Sequence, residues 1–321
     1  MSVSITDPGQ PLLAFSTLSC PDWSFDEIVA RGIEYGYDGV EIRLIERETD
    51  LLKRPEFRSP ELSQRKRQLS DAGFRVCGLS SSVRFEETDS ATRAAQLAAG
   101  RAYCDLAAEL GAKFVRVFGD LIRPDEDEAT QLDWIACGLQ SLGEYASTVG
   151  IDVLIETHGD FCRNEKMVAL MNRVSSPTVG VLWDTHHPWR FHGEPIADTW
   201  AALKKWTRHT HWKDSVTRPQ QADEPFSAEV AAAAQMALQT NSGHQHADYA
   251  MFGGGEFPAR ECLQRLLVDG YSGWYSLEWE KMWHPQIEVP EVAVRLFSQK
   301  FRELWGTLTR RASEGERFNS R

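Results

Sequence analysis

Three observations predict an α/β chain that folds as a closed (β/α)8 barrel. Short apolar or β-branched runs alternate with longer amphipathic stretches about eight times along the sequence, which is the pattern of strand and crossover helix. A glycine recurs where an amphipathic stretch gives way to the next run, at Gly36, Gly73, Gly111, Gly150 and Gly270. Ending a helix on a residue that takes positive φ turns the chain tightly, as parallel crossover units require. After the first run, Ser16-Thr17-Leu18-Ser19-Cys20 has no glycine, whereas an open doubly wound sheet normally carries a Gly-rich phosphate loop there.

The first strand is expected at Leu12–Phe15, leading into a helix over Phe25–Tyr35 that closes on Gly36. Strand two, Gly39–Ile42, precedes helix Glu61–Ala72, and strand three, Arg75–Leu79, precedes Ala91–Leu110; each helix again ends in glycine. Strands four and five, Phe114–Phe118 and Val153–Glu156, flank helix Leu132–Val149, and Glu165–Arg173 follows. Val179–Asp184 is strand six, with helix Pro195–Lys204 after it, and His209–Lys213 is strand seven. Helix Pro258–Val268 leads to strand eight, Trp274–Glu278, and Pro290–Leu304 completes the repeat.

Residues 1–309 thus read as a single barrel domain with a long loop insertion after strand seven, about 215–256. The insertion contains an Ala-rich helical piece at Ala231–Leu238 and a Gly253-Gly254-Gly255 hinge. Such a connection lies over the C-terminal face of a barrel, as a lid or an oligomer contact. The tail, 310–321, is polar and aperiodic and is expected to fray.

Of the 321 residues, 42% are hydrophobic and 26% charged, as in a globular chain that buries a large core. A formal charge of −12 and a pI near 5.3 oppose binding to nucleic acid or an anionic membrane, since both need a positive field. The N-terminus lacks a basic and then apolar leader, and no run of about 18 apolar residues occurs, so a cytoplasmic location is expected. Six scattered cysteines without C-x-x-C spacing read as free, buried thiols.

Four strand ends carry metal-type ligands: Glu156 in Ile155-Glu156-Thr157-His158, Asp184 in Trp183-Asp184-Thr185-His186-His187, His211 in His209-Thr210-His211, and Glu278 in Leu277-Glu278-Trp279. Successive ligands are 27 to 67 residues apart, but the C-terminal ends of barrel strands converge on one mouth. Three carboxylates and an imidazole, with no thiolate, suit a hard or borderline divalent ion better than a structural zinc. The alternative is four separately solvated or salt-bridged side chains.

Around this constellation, His158 lies two residues beyond Glu156 and so on the same strand face, while His187 lies three beyond Asp184 in the following loop. Both are candidates to bind substrate or tune the site. Lys213, two beyond His211, and Asp214 or Arg218 could orient a hydroxyl or phosphate, with solvated loop charge as the alternative. His186 and His209 read as support. Of 11 tryptophans, Trp183, Trp212 and Trp279 adjoin ligands and point to the opposite face, hence into the core; Trp189 and Trp283 lie in loops and are pocket candidates. Glu41 and Arg116 are expected to form a buried structural pair.

These segments, together with Tyr37-Asp38-Gly39-Val40-Glu41-Ile42-Arg43 and Gly270-Tyr271-Ser272-Gly273-Trp274-Tyr275-Ser276-Leu277-Glu278, resemble the xylose-isomerase-like superfamily of TIM barrels, specifically the sugar phosphate isomerase/epimerase group, over roughly residues 12 to 305. The resemblance implies one divalent metal, commonly Mn²⁺ with Mg²⁺, Co²⁺ or Zn²⁺ as alternatives, held by Glu156, Asp184, His211 and Glu278. It also implies that the two Glu residues shuttle protons beside a carbonyl through a metal-stabilised enediolate. Two positions depart from ketose 3-epimerases of the group: Cys162 stands where they often carry a Glu, and Thr217 where they carry a substrate-binding Arg, with Arg218 next.

The leading expectation is therefore a metal-dependent isomerase or epimerase of a small sugar or keto-sugar. A lyase or dehydratase of 3-dehydroshikimate-type, inosose-type or 3-keto-glycoside substrates on the same scaffold is the alternative. An abasic-DNA endonuclease, disfavoured by the acidic charge, and a noncatalytic sugar-binding role stand behind both. By analogy with barrels of this group, a homo-oligomer is possible.

Overall fold

The repeat folds as predicted, into eight parallel strands that close on themselves. The computed structural model describes residues 9–217 and 247–319, and labels here number the described elements. The strands are β1 (Leu12–Ser16), β2 (Gly39–Ile42), β3 (Arg75–Arg84), β4 (Phe114–Phe118), β5 (Asp152–Glu156), β6 (Val179–Asp184), β7 (Thr207–Trp212), β8 (Asp214–Thr217), β9 (Ala247–Ala250) and β10 (Trp274–Leu277). Barrel order is β1-β10-β7-β6-β5-β4-β3-β2, so β10 is the eighth barrel strand. β8 and β9 pair antiparallel as a separate ribbon, from Asp214 opposite Ala250 to Thr217 opposite Ala247.

Around the barrel lie α1 (Phe25–Glu34), α2 (Glu61–Ala72), α3 (Ser90–Leu110), α4 (Glu128–Val149), α5 (Asn164–Met171), α6 (His187–His192), α7 (Ile196–Leu203), α8 (Ala259–Val268) and α9 (Pro290–Asn319). Their starts follow from local chemistry. Ser24 and Glu27 form a reciprocal capping box on α1, and Asp89 and Asp127 accept from the third backbone N–H of α3 and α4. Gly73, Gly111 and Gly150 cap α2, α3 and α4 with φ of 62°, 72° and 74°, as the helix–glycine–strand punctuation requires.

Strand alternation sorts the side chains. Outward residues such as Trp183, Trp212 and Trp279 are 0%, 0% and 2% exposed between sheet and helices, the core positions expected of them. Trp183 stacks on Trp200 of α7, and Trp212 packs edge-on against Phe301 of α9. Inside, Phe114, Leu154 and Leu182 fill one layer. Gly78 on β3 admits the Phe114 ring, which would lie 2.1 Å from any Cβ there. Two residues further along the same strands, the inward layer turns polar: Arg116, Glu156 and Asp184.

Three local expectations differ. The last helix runs to Asn319 through the segment expected to fray, because Arg310–Asn319 has no proline and mostly helix-compatible residues. α6 in the loop after β6 and the β8–β9 ribbon at the base of the insertion were not signalled by periodicity, being only 6 and 4 residues long. All six cysteines are free, but Cys137 is exposed on α4. Arg218 and the Ala231–Leu238 helical piece lie outside the described residues.

Candidate metal centre

Glu156 and Asp184 end their strands, His211 lies one residue before the end of β7, and Glu278 follows β10 directly. Two threonine hydroxyls and one backbone bond tie these ends together. Thr157 Oγ1 accepts from Asp184 N at 2.9 Å, Thr185 Oγ1 donates to the His211 carbonyl at 2.8 Å, and Glu278 N donates to the Trp212 carbonyl at 3.0 Å. One donor atom from each of Glu156, Asp184, His211 and Glu278 then lies within 4.8 Å of all the others. His211 Nδ1 is 3.4 Å from Glu156 Oε1, 3.3 Å from Glu278 Oε2 and 4.0 Å from Asp184 Oδ2.

The ring of His211 is oriented from behind. Its Nε2 faces both oxygens of Glu41, at 2.8 and 2.9 Å, and Glu41 also accepts from His209 Nε2 at 2.8 Å, Ser276 Oγ at 3.0 Å and Ser80 Oγ. Burial pushes the Glu41 carboxyl up, but the His211 and His209 rings outweigh it and hold it well below the usual range. Burial alone would lower the His211 pKa, but the Glu278 and Glu41 charges outweigh it and hold it well above the usual value; donation from Nε2 to Glu41 would leave Nδ1 to offer its lone pair to a cation. Glu41 and Arg116 therefore do not form the pair expected of them, because Arg116 Nε faces Glu156 Oε2 at 3.2 Å instead. All three face inward, and β3 separates Glu41 on β2 from Arg116 on β4, whereas β5 with Glu156 pairs directly with β4; strand parity alone does not choose between the partners.

The donor set, three carboxylates and an imidazole without a thiolate, fits a divalent ion. Glu156 Oε2, Asp184 Oδ2 and His211 Nδ1 are buried and lack a hydrogen bond of good geometry. Lys213 Nζ faces Asp184 Oδ2 at 2.8 Å and Arg116 Nε faces Glu156 Oε2 at 3.2 Å, so of the three it is His211 Nδ1 that is left for an ion to satisfy. Asp184 is aimed by its other oxygen, which accepts from His186 N and His187 N at 2.9 and 2.8 Å.

Lys213, 0% exposed, reaches the same cluster. Its Nζ lies 2.8 Å from Asp184 Oδ2, 2.6 Å from Glu278 Oε2 and 2.7 Å from Glu280 Oε1, and donates to His187 Nε2 at 3.0 Å. Burial pushes Glu280 up to about 7 despite the ammonium. His158 Nδ1 bonds Asp120 Oδ1 at 2.7 Å, and its ring centroid is 5.5 Å from that of His187. Burial alone would lower His158; Asp120 outweighs it and raises its pKa. Gly159 permits this approach, since a Cβ there would meet the Asp120 carbonyl at 2.2 Å.

The structure thus gathers His158, His187 and Lys213 at the four-ligand group. His186 supports as expected, its Nε2 2.7 Å from Ser215 Oγ. Trp189 packs on Phe257 and His186 with the Arg190 guanidinium over its ring. Trp283 is half-buried in the loop after β10, where its backbone N–H donates to the Glu280 carbonyl at 3.1 Å. Asp214 is not a substrate-orienting loop charge: it accepts from the N–H groups of Ser215, Gly253, Gly255 and Phe257, so the glycine run is pinned onto a carboxylate. At the two departures, Cys162 Sγ donates to the Thr157 carbonyl and Thr217 Oγ1 bonds Glu256.

Glu280, Arg43 and Tyr249 had not been singled out. Glu280 follows the i+2 rule that marks His158 and Lys213, and so was within reach of the sequence. Tyr249 comes from β9; burial, then the Glu280 charge, raise its hydroxyl well above the usual range.

A closed parallel (β/α)8 barrel with carboxylates and an imidazole converging at its strand ends is the class that fold and site define. The signature of the xylose isomerase-like TIM barrel family matches residues 29–299, and the chain belongs to that family. No curated protein matches it. Among solved structures it is similar to an L-ribulose 3-epimerase (TM-score 0.71, 12% identity, 97% of this chain and 98% of that one). It is also similar to a probable 3-DHS dehydratase involved in petrobactin synthesis from Bacillus anthracis (0.69, 17%, 89% and 97%) and to the IOLI protein with a bound zinc atom (0.67, 17%, 93% and 98%). At these identities the likeness is one of fold. No described helix is long and apolar enough to cross a membrane.

Proposed function

We propose that the chain is a divalent-metal-dependent isomerase or epimerase of a small sugar or keto-sugar. The observation that carries this reading is the convergence of Glu156, Asp184, His211 and Glu278 with a buried, unsatisfied His211 Nδ1 at their centre. These four residues would hold the ion, Mn²⁺ by preference, which when bound polarises a carbonyl and an adjacent hydroxyl. Glu156 and Glu278 approach from β5 and β10, which are separated in the barrel by β7 and β6. A carbon between them has a carboxylate on either side to take and return a proton. Arg116 steadies Glu156, Lys213 steadies Glu278, and His158 and His187 offer ring N–H or lone pairs to substrate hydroxyls.

A second reading, elimination by a lyase or dehydratase, is favoured by one observation: the Lys213 ammonium bridges Glu278 and Glu280. A carboxylate base beside a buried proton donor can remove an α-proton and protonate a departing β-hydroxyl.

Elemental analysis after dialysis, followed by incubation of keto-sugars in D2O, tests both. About one ion per wild-type chain is expected by the ligand count, with Glu278→Gln losing metal and at least about a hundredfold in exchange. Deuterium entering unchanged substrate or its isomer supports the first reading; an enone absorbance supports the second. A wild-type chain that takes up no ion from Mn²⁺ or Co²⁺ removes the basis of both.

A further inference from the structure

Lys213 lies in a cage whose make-up repeats that of the four-ligand group. Around its Nζ stand Asp184 Oδ2 at 2.8 Å, Glu278 Oε2 at 2.6 Å, Glu280 Oε1 at 2.7 Å and His187 Nε2 at 3.0 Å, again three carboxylates and an imidazole. The two sets share atoms. Asp184 Oδ2 and Glu278 Oε2 also face His211 Nδ1, at 4.0 and 3.3 Å. His187, Glu278 and Glu280 meet the same closeness as the first group, with one donor atom from each within 4.8 Å of the others. Lys213 and its four neighbours are at most 4% exposed, so water does not complete the cage.

The cage offers more than a lysine can use. An ammonium has three N–H bonds to give, and these go to Glu278, Glu280 and His187. Asp184 Oδ2 is met by the charge at 2.8 Å but by no N–H in hydrogen-bonding geometry. A metal ion binds through no directed hydrogens and takes four or more oxygen and nitrogen donors at once. The imidazole fits this reading too, because a ring nitrogen that accepts from a lysine presents the lone pair that a metal would take.

We propose that the Lys213 ammonium occupies a second cation position of the centre, which Asp184, Glu278, Glu280 and His187 would otherwise give to a second divalent ion. This rests on the four-ligand group holding the first ion. With the position filled by a tethered charge, the centre takes a single metal, and the cation beside Glu278 cannot dissociate. Lys213 is thereby a positioning residue: all its N–H bonds are spent on the cage, and it acts by fixing Glu278 and Asp184 where the first ion meets them.

Mn²⁺ binding to the full chain tests this, read by elemental analysis after dialysis and by electron paramagnetic resonance. Wild type is expected to hold one ion with the spectrum of isolated Mn²⁺. Lys213→Ala should hold two, with the exchange-broadened spectrum of a pair at the spacing of about 3.5–4 Å usual in two-metal sites. Adding Glu280→Gln to Lys213→Ala should return the count to one, because Glu280 belongs to the second set alone; a second ion that survives this change is bound elsewhere and overturns the proposal. A Lys213→Ala chain with one isolated ion, two uncoupled ions or none overturns it, as does a coupled pair in wild type. Should Lys213→Ala fail to fold even in Mn²⁺, wild type decides, one isolated ion upholding the proposal and a coupled pair overturning it. A wild-type chain without any ion counts against the four-ligand group itself, whereas one isolated ion in both chains counts against the second position alone.

Discussion

Glu41 illustrates how a single residue sets the chemistry of another that it never replaces. It is 0% exposed, and its oxygens receive His211, His209, Ser80 and Ser276. Its effect on a metal is exerted only through the His211 ring, whose Nδ1 is presented because Nε2 is occupied. Glu41→Gln keeps the shape but removes the charge and offers an amide that can donate toward Nε2, inverting the tautomer preference. Metal affinity, measured by competition with a fluorescent chelator, is expected to fall about 10–100-fold, while far-UV circular dichroism stays the same. Unchanged affinity would mean that the Glu41 bond does not orient the ligand.

At the scale of elements, the site depends on how the β8–β9 ribbon is tied to the barrel. Asp214 gathers four backbone N–H groups, and Gly255 lies so close that a Cβ would be 2.2 Å from Asp214 Oδ1. Arg190 of α6 completes the attachment, donating to Ser215 Oγ at 2.7 Å, the Ser215 carbonyl at 2.8 Å and Glu256 at 2.9 Å. Tyr249 of the same ribbon places its ring 6.0 Å from that of His186, two residues beyond Asp184. Asp214→Asn halves the acceptor strength and turns one edge of the group into a donor facing N–H. Hydrogen exchange at residues 214–217 and 247–257 is expected to accelerate about tenfold or more, the equivalent of about 1.4 kcal/mol of local opening, while the barrel strands keep their protection. Uniform acceleration through the barrel would instead make Asp214 part of the global core.

For the whole molecule, the proposed ion would add positive charge to buried acids that Lys213 and Arg116 offset in part. A ligand that binds only the folded chain adds about 2.7 kcal/mol at a concentration of a hundred times its dissociation constant. Mn²⁺ is therefore expected to raise the melting temperature by several degrees, EDTA to reverse the gain, and Glu278→Gln to abolish most of it. Equal shifts in wild type and variant would place the ion elsewhere. The net charge of −12 makes weak nonspecific cation binding a real competitor, so the comparison belongs at 0.15 M salt, where exposed charges are screened beyond about 8 Å.

Much of this was legible from residue order. All five predicted helix–strand boundaries fall on a glycine with positive φ, Gly36, Gly73, Gly111, Gly150 and Gly270, because only a residue without Cβ takes that backbone cheaply. β2, β4 and β6 span the predicted residues, because short β-branched runs between such stops have one way to lie. The grouping of Glu156, Asp184, His211 and Glu278 was also legible, because a barrel delivers every strand end to one mouth whatever the sequence separation. What only the tertiary structure decided was partnership within the mouth. Glu41 took two histidines in place of Arg116, Lys213 inserted between Asp184 and Glu278, Asp214 turned from the pocket to the glycine run, and Arg116 came to face Glu156. Strand parity states which face a side chain takes, but distances between faces depend on strand register and closure, and buried charges settle only once every neighbour is in place.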